Sequence, residues 1–210
     1  MLVASEQREF AGLRSKAERE RYVLVANGAG GKLAAEGIRA ALLEMKADAM
    51  ISTGFCGGLD PELQIGQVVA ASRVIDVDSG EEFAASVPAG FRAVTFACED
   101  RVVQTAADKA DLRRRTGASA VDMESAAVAR QAQSIGVPFY CVRVVTDTAS
   151  DTFANDLNAA RRPDGRLSVS KLVAYALLRP FSRIPELIRL RRISRRAAIA
   201  LGESLAACQF

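Results

Sequence analysis

Apolar positions along the chain fall into short runs separated by turn-forming residues, and the runs alternate between two periods. Tyr22–Ala26 (YVLVA) is a β-branched apolar run that predicts a buried strand. Asn27-Gly28-Ala29-Gly30-Gly31 then marks a turn, and Lys32–Met45 has Leu33, Ile38, Ala41, Leu42 and Met45 near helical spacing. Ala49–Thr53 predicts a second strand that enters a Gly-rich loop, Gly54–Leu59. Gln67–Val74 and Phe91–Ala97 predict two more strands, and Val102–Arg115 predicts a helix. Ala118–Val121 is short and extended. Met123–Ile135 is Ala-rich and helical, stopping at Gly136 before Pro138. Phe139–Thr146 (FYCVRVVT) is the clearest buried strand. Strands alternating with helices predict a single α/β domain whose central sheet is mixed, mostly parallel and flanked by helices.

The last fifty residues differ. Ser168–Leu178, Pro180–Leu190 and Ile193–Ala207 read as three successive helices, with Pro180 and Pro185 limiting how they join. The expected division is an α/β domain over 1–160 and a basic helical C-terminal extension over 161–210, packed on or continuing that domain.

Composition narrows the chemistry. The chain has 210 residues, half of them hydrophobic, enough for one full core. No apolar run reaches the roughly 18 residues that a membrane span needs, and the first residues carry no signal-peptide pattern, so a cytoplasmic location is expected. There is no histidine, which excludes Ser-His-Asp and Cys-His catalysis and histidine-bound metals. The four cysteines (Cys56, Cys98, Cys141, Cys208) form no CxxC pair and read as buried thiols. Any general acid or base is then a carboxylate, Lys, Tyr or Cys. Charge is uneven: residues 161–210 hold 11 Lys+Arg against 3 Asp+Glu, while residues 1–160 hold 17 against 22. An acidic body with a basic tail suggests that the two parts meet different partners.

The glycine cluster at Gly28–Gly31 fails as a nucleotide loop, because Leu33 stands where a P-loop needs Ser/Thr and where GxGxxG needs Gly. What survives is a strand, a Gly-rich turn and a helix N-terminus able to receive an anion or hydroxyl, or simply a tight connection. Ligands of open α/β sheets gather at the carboxyl ends of strands. Three segments are expected there: Thr53–Leu59 (TGFCGGL), Val121–Ala127 (VDMESAA) and Arg143–Asp147 (RVVTD). The first offers backbone N–H groups unshielded by side chains, Gly57 among them. Each of the others offers a carboxylate.

These segments carry a family resemblance. TGFCGGLDPELQIGQVV, VDMESAAVA and VPFYCVRVVTDTAS resemble, in order and at similar separations, three stretches of the purine nucleoside phosphorylase/uridine phosphorylase superfamily. The resemblance covers most of residues 20–150 and is strongest to methylthioadenosine/S-adenosylhomocysteine nucleosidases. The short length and basic helical tail are more similar to the hopanoid-associated phosphorylase subgroup, with adenosylhopane as its proposed substrate. It implies cleavage of the N-glycosidic bond of an adenosine-type nucleoside, by water or with phosphate as co-substrate, without metal or other cofactor, in a homodimer. Asp147 matches the catalytic aspartate that protonates the adenine, a step that needs a carboxyl of raised pKa. The reading from the residues alone is a turn cap beside Thr146 and Thr148. Glu124 matches the residue that binds the ribose hydroxyls, and Met123 packs on the sugar; a first-turn helix acid and a core Met are the bland readings. Arg143 matches an arginine that helps hold the attacking water, or else forms a structural ion pair. Glu9 matches the general base after a one-residue shift, with Glu6 as competitor. Val102 and Val103 match the stretch lining the adenine, and Gly57 and Thr146 complete the expected substrate contacts.

The pattern departs in four places. Phe55 stands where nucleosidases carry a small hydroxyl residue that positions water. A phosphorylase needs arginine donors for its anion, and Arg39 and Arg73 lie outside the matching motifs. Before the glutamate only Leu2-Val3-Ala4 remains of a full strand. Residues 75–90 are shorter than the family's closing loop, leaving room for a bulky 5′ substituent. A catalytically weakened relative, binding an adenosyl ligand as a sensor or scaffold, is the alternative. In the tail, Arg189, Arg192 and Arg196 recur at spacing 3 and 4, with Leu177, Phe181, Ile184 and Ile188 as an apolar series. Such a helix suits peripheral contact with an anionic membrane surface, or packs on the body with its arginines paired to the acidic domain. Aromatics are too sparse among these basic residues for a nucleic-acid partner.

Overall fold

The computed structural model of the chain describes residues 1–13, 20–208 and 210. Among them, in chain order, are β1 (Leu2–Ala4), a short 3-10 helix (Gln7–Phe10), β2 (Leu24–Ala26), α1 (Gly31–Glu44), β3 (Met50–Gly58) and β4 (Val68–Asp76). There follow β5 (Glu82–Ala84), β6 (Arg92–Cys98), α2 (Ala106–Thr116), β7 (Ala120–Asp122), α3 (Ser125–Ile135) and β8 (Phe139–Asp147). The chain finishes with α4 (Leu157–Ala160), α5 (Val169–Leu178) and α6 (Pro180–Ala207).

The eight strands make one mixed, mostly parallel sheet. β2, β1 and β3 run parallel, and β8 lies parallel to β3 along nearly its whole length. β8 pairs antiparallel with β4, β4 parallel with β6, and β6 parallel with β7. β7 then returns to β3 through Gly57↔Val121 and Gly58↔Ala120, so β3, β8, β4, β6 and β7 close into a ring. This closure corrects one expectation. Gly54–Leu59 is not a loop; β3 continues through Gly58. Glycine has little strand propensity, but here it lets a strand bend, with Gly54 at φ 122°, and pair on both sides.

Strand alternation sorts the core onto two faces. Val3, Met50, Cys141 and Val145 join the cluster under α1 and α3, while Leu2, Ile51, Val142 and Val144 join Ala197, Leu201 and Leu205 of α6. A third cluster packs Leu112 of α2 against Leu59, Val103 and Val121. The two expected tail helices over 180–207 are one 28-residue helix. Pro180 occupies its first turn, where no N–H is needed. Pro185 deprives the carbonyl of Phe181 of its helical donor, but Phe181 is 97% exposed and lies where water can serve instead. The inner half of α6 reaches the body through Gly202, whose backbone touches Gly12: a Cβ there would lie 2.2 Å from the Gly12 Cα.

Candidate active site

A pocket opens where the tail of β3 and the ends of β7 and β8 meet. Of the residues expected to form a site, Gly57, Val102, Val103, Met123, Glu124, Arg143, Thr146 and Asp147 all line it. Glu9 does not; Ser5 is in the wall, and Glu9 stands behind it. Arg39 lies in a separate cleft and Arg73 pairs with Glu82 on the sheet edge, so neither reaches this pocket.

The floor is built around a buried arginine. Cys141, Arg143 and Val145 alternate with Val142 and Val144 along β8, which turns the Arg143 side chain into the ring. Its Nε lies 2.6 Å from Asp122 Oδ2, and its terminal nitrogens reach Ser52 Oγ (2.8 Å), the Phe55 carbonyl (3.0 Å) and Glu124 Oε2 (3.2 Å). The Nε contact is a close approach of charges rather than a directed hydrogen bond. The other oxygen of Asp122 accepts from the Ser125 amide and hydroxyl, capping the first turn of α3. Glu124, just before α3, accepts at Oε1 from the Gly30 amide, 2.8 Å away. The helix N-terminus after the Gly-rich turn thus receives a protein carboxylate, not a free anion. Burial raises the pKa of Glu124, with the Arg143 guanidinium pulling it back. Each Glu124 oxygen retains acceptor capacity beyond these bonds.

Glu9 lies in the 3-10 helix with its carboxylate beside Gly54. Its Oε1 accepts from the Ser5 hydroxyl and the Glu6 amide, and its Oε2 is buried without a hydrogen-bond partner among the described residues. A Cβ on Gly54 would lie 1.9 Å from that oxygen, so only glycine admits the carboxylate here. Burial pushes Glu9 up to about 7, opposed by the Ser5 hydrogen bond. Glu6 instead pairs with Arg8 at the surface.

Asp147 closes the opposite wall. Between Cys56 and Gly57 the β3–β8 register slips by one residue, so Thr146 is extra in β8. A bulge places two successive side chains on one side; Thr146 and Asp147 both line the pocket, and the Thr146 hydroxyl donates to Asp147 Oδ1 at 3.0 Å. Asp147 Oδ2 lies 2.5 Å from Nζ of Lys109, a residue outside the three matching stretches. Burial raises the Asp147 pKa and Lys109 opposes the rise. Nearby, the Asn158 side chain holds both the N–H and the C=O of Val102, while Val103 leaves its own backbone pair without partners among the described residues. Phe55 lies on the wall as well. Cys56 does too, but burial holds its thiol well above the ordinary range, so it cannot serve as a base. Among the described residues, no group of three His/Cys/Asp/Glu is placed to hold a metal ion.

The sequence model of the phosphorylase superfamily matches residues 3–91 and 81–177. The chain belongs to the phosphorylase superfamily. Among solved structures, a putative 5′-methylthioadenosine/S-adenosylhomocysteine nucleosidase from Borrelia burgdorferi bound to adenine is similar at TM-score 0.70 and 14% identity, covering 98% of this chain and 96% of that one. The 5′-methylthioadenosine nucleosidase of Arabidopsis thaliana gives TM-score 0.66 at 16% identity over 97% and 91%. Futalosine hydrolase of Helicobacter pylori gives 0.66 at 14% over 96% and 93%. At such identities the likeness shows that this superfamily member shares their fold.

Proposed function

We propose that this chain hydrolyses the N-glycosidic bond of an adenosine-type nucleoside. The observation that carries the reading is the pair of buried carboxylates, Asp147 and Glu124, facing one pocket from the ends of β8 and β7. In this reading the base lies along Val102 and Val103, with the unpaired Val103 amide and carbonyl available to its edge. Asp147 protonates N7 and turns adenine into a better leaving group. Glu124 accepts from the ribose hydroxyls and stabilises the cationic sugar, with Met123 against its apolar face. Glu9, behind the wall, takes the proton of the attacking water through the Ser5 hydroxyl that donates to it, and Arg143 holds Glu124 in place while supplying positive charge beside Glu9. Three carboxyls with raised pKa around one cleft are the pattern expected of acid–base chemistry.

Water is favoured over phosphate because the arginines in the wall are occupied. Arg143 is committed to the floor network, and Arg101 pairs with Glu99 at 2.6 Å. Segment 75–90 contributes nothing to the pocket wall, which supports a substrate with a bulky 5′ group, including a lipid-like one such as that of adenosylhopane. The test is release of adenine from methylthioadenosine, adenosine and a 5′-alkylated adenosine, with futalosine in the same panel, each with and without phosphate. Asp147→Asn should abolish turnover and largely spare binding; full activity in that variant removes the mechanism. Saturable binding without product would instead favour the sensor reading, for which Phe55 on the pocket wall is the supporting observation.

The tail bears on partners. Among the described residues no helix is long and apolar enough to cross a membrane. Leu177, Leu178 and Phe181 are 65%, 73% and 97% exposed at the junction of α5 and α6. Arg189 pairs with Asp151, but Arg191, Arg192, Arg195 and Arg196 have no acidic partner among the described residues. An apolar tip followed along α6 by unpaired arginines supports peripheral contact with an anionic bilayer at the inner face of the membrane. Co-sedimentation with phosphatidylglycerol vesicles but not phosphatidylcholine vesicles is expected, and binding to neither would remove this contact. The homodimer is tested by light scattering.

A further inference from the structure

We propose that Lys109 is the proton reservoir of Asp147, supplying the proton that the carboxyl hands to the departing base. The inference rests on the reading of Asp147 as that acid. Lys109 is fully buried, an unusual state for lysine. Its Nζ is held by Asp147 Oδ2 at 2.5 Å, by the Thr148 carbonyl at 2.6 Å and over the Phe153 ring at 5.5 Å. It is absent from the pocket wall while Asp147 is part of it, so the ammonium reaches substrate only through the carboxyl. Three residues on in α2, Leu112 is buried in an apolar cluster, so an apolar side chain would suit position 109 for packing alone. A buried ion pair is weak evidence of stabilisation, and this one abuts the reacting group.

The step balances as follows. The N9–C1′ bond breaks and its electron pair stays on the base. At rest the pair is a carboxylate and an ammonium; Lys109 passes a proton to Asp147 and the carboxyl hands it on to N7, leaving the carboxylate and a neutral amine. Water adds its oxygen to C1′ and gives a proton to Ser5 Oγ as the Ser5 hydroxyl passes its own to Glu9. After products leave, Glu9 returns its proton to solvent and the amine is recharged from solvent through Asp147. Within the pair, moving a proton from Nζ to the carboxyl exchanges two charges for two neutral groups. A dry site penalises that exchange less than water does.

Two variants distinguish a proton source from an anchor. Lys109→Gln keeps a neutral donor toward Asp147, one bond shorter, but has no proton to release. Asp147 must then carry its own, and the alkaline limb of kcat should move at least one pH unit downward. Lys109→Arg keeps the charge, but its proton is not released at accessible pH. It should lower kcat about 100-fold at every pH, a factor within the range of general acid catalysis, with KM within about twofold. A wild-type alkaline limb in Lys109→Gln, or wild-type kcat in Lys109→Arg, overturns the inference while leaving the nucleosidase reading intact. A 13C titration of the Asp147 carboxyl, identified with Asp147→Asn, tests the pair without turnover. The carboxyl should titrate higher in Lys109→Gln than in the parent, because the cation that opposes its protonation is gone; identical titration overturns the inference. Failure of the parent protein to release adenine from any substrate overturns the nucleosidase reading instead, and the titration still decides the pairing.

Discussion

Arg143 Nε sits 2.6 Å from Asp122 Oδ2, with both side chains sealed inside the strand ring. Asp122 in turn caps α3, and α3 begins next to Glu124, so one guanidinium sets the position of a helix start and of the Glu124 carboxylate together. Arg143→Met removes the cation and leaves two buried carboxylates without it. Loss of one partner of a buried pair costs about 3–5 kcal/mol. Urea denaturation near neutral pH should show a loss of that size, and a loss below about 1 kcal/mol would refute the pairing.

Glu124→Gln keeps the shape but cannot neutralise a cationic sugar. Its kcat/KM on an adenosine substrate should fall about 10²- to 10³-fold, as for removal of an electrostatic stabiliser. The substitution should matter less for a 2′-deoxy substrate, which has already lost one of the hydroxyls. Equal losses on both sugars would place Glu124 away from the ribose.

Glu9 carries a pH signature in both activity and stability. As a general base it must be ionised, so kcat/KM should rise with pH along a limb centred near its value of about 7. For stability the sign is opposite. A carboxyl raised from 4.5 to about 7 in the folded state stabilises it fully below pH 4.5, and that contribution is lost as pH climbs through 7. The difference amounts to about 3 kcal/mol. Glu9→Gln removes it. The Tm of Glu9→Gln relative to the parent should therefore increase between pH 5 and pH 8, measured by calorimetry. A difference that does not change with pH would place Glu9 in an ordinary, solvated state.

Gly202→Ala drives a methyl group into the Gly12 backbone, where no side chain can move aside. Overpacking of this kind costs about 1–3 kcal/mol. Thermal unfolding should show the loss, and an unchanged Tm would mean that α6 does not approach residue 12 this closely.

Much of the fold is legible in the order of apolar runs, because β3 and β8 are buried on both faces and their apolar runs are broken only at Ser52-Thr53, Arg143 and the closing Thr146-Asp147. Legibility fails where a residue's local tendency and its tertiary role diverge. Gly54, Gly57 and Gly58 look like a loop and form the strand tail that closes the ring. Pro185 looks like a helix boundary and is absorbed by α6. Asp147, Glu124 and Arg143 are visible through motifs. Lys109 is not: AADKADLRRR reads as a solvated basic helix, and the acid that claims its ammonium is 38 positions further on. The one local hint is its spacing of three from Leu112, which puts both on the buried side of α2.

The inner half of α6 has a consequence for how the chain matures. Leu201 and Leu205 fill the same apolar cluster as Leu2, Phe10 and Ile51. During synthesis that cluster stays open until residues 197–205 have left the ribosome. A nascent chain arrested before residue 197 would expose Leu2, Phe10 and Val144 together, a surface suited to capture by a chaperone.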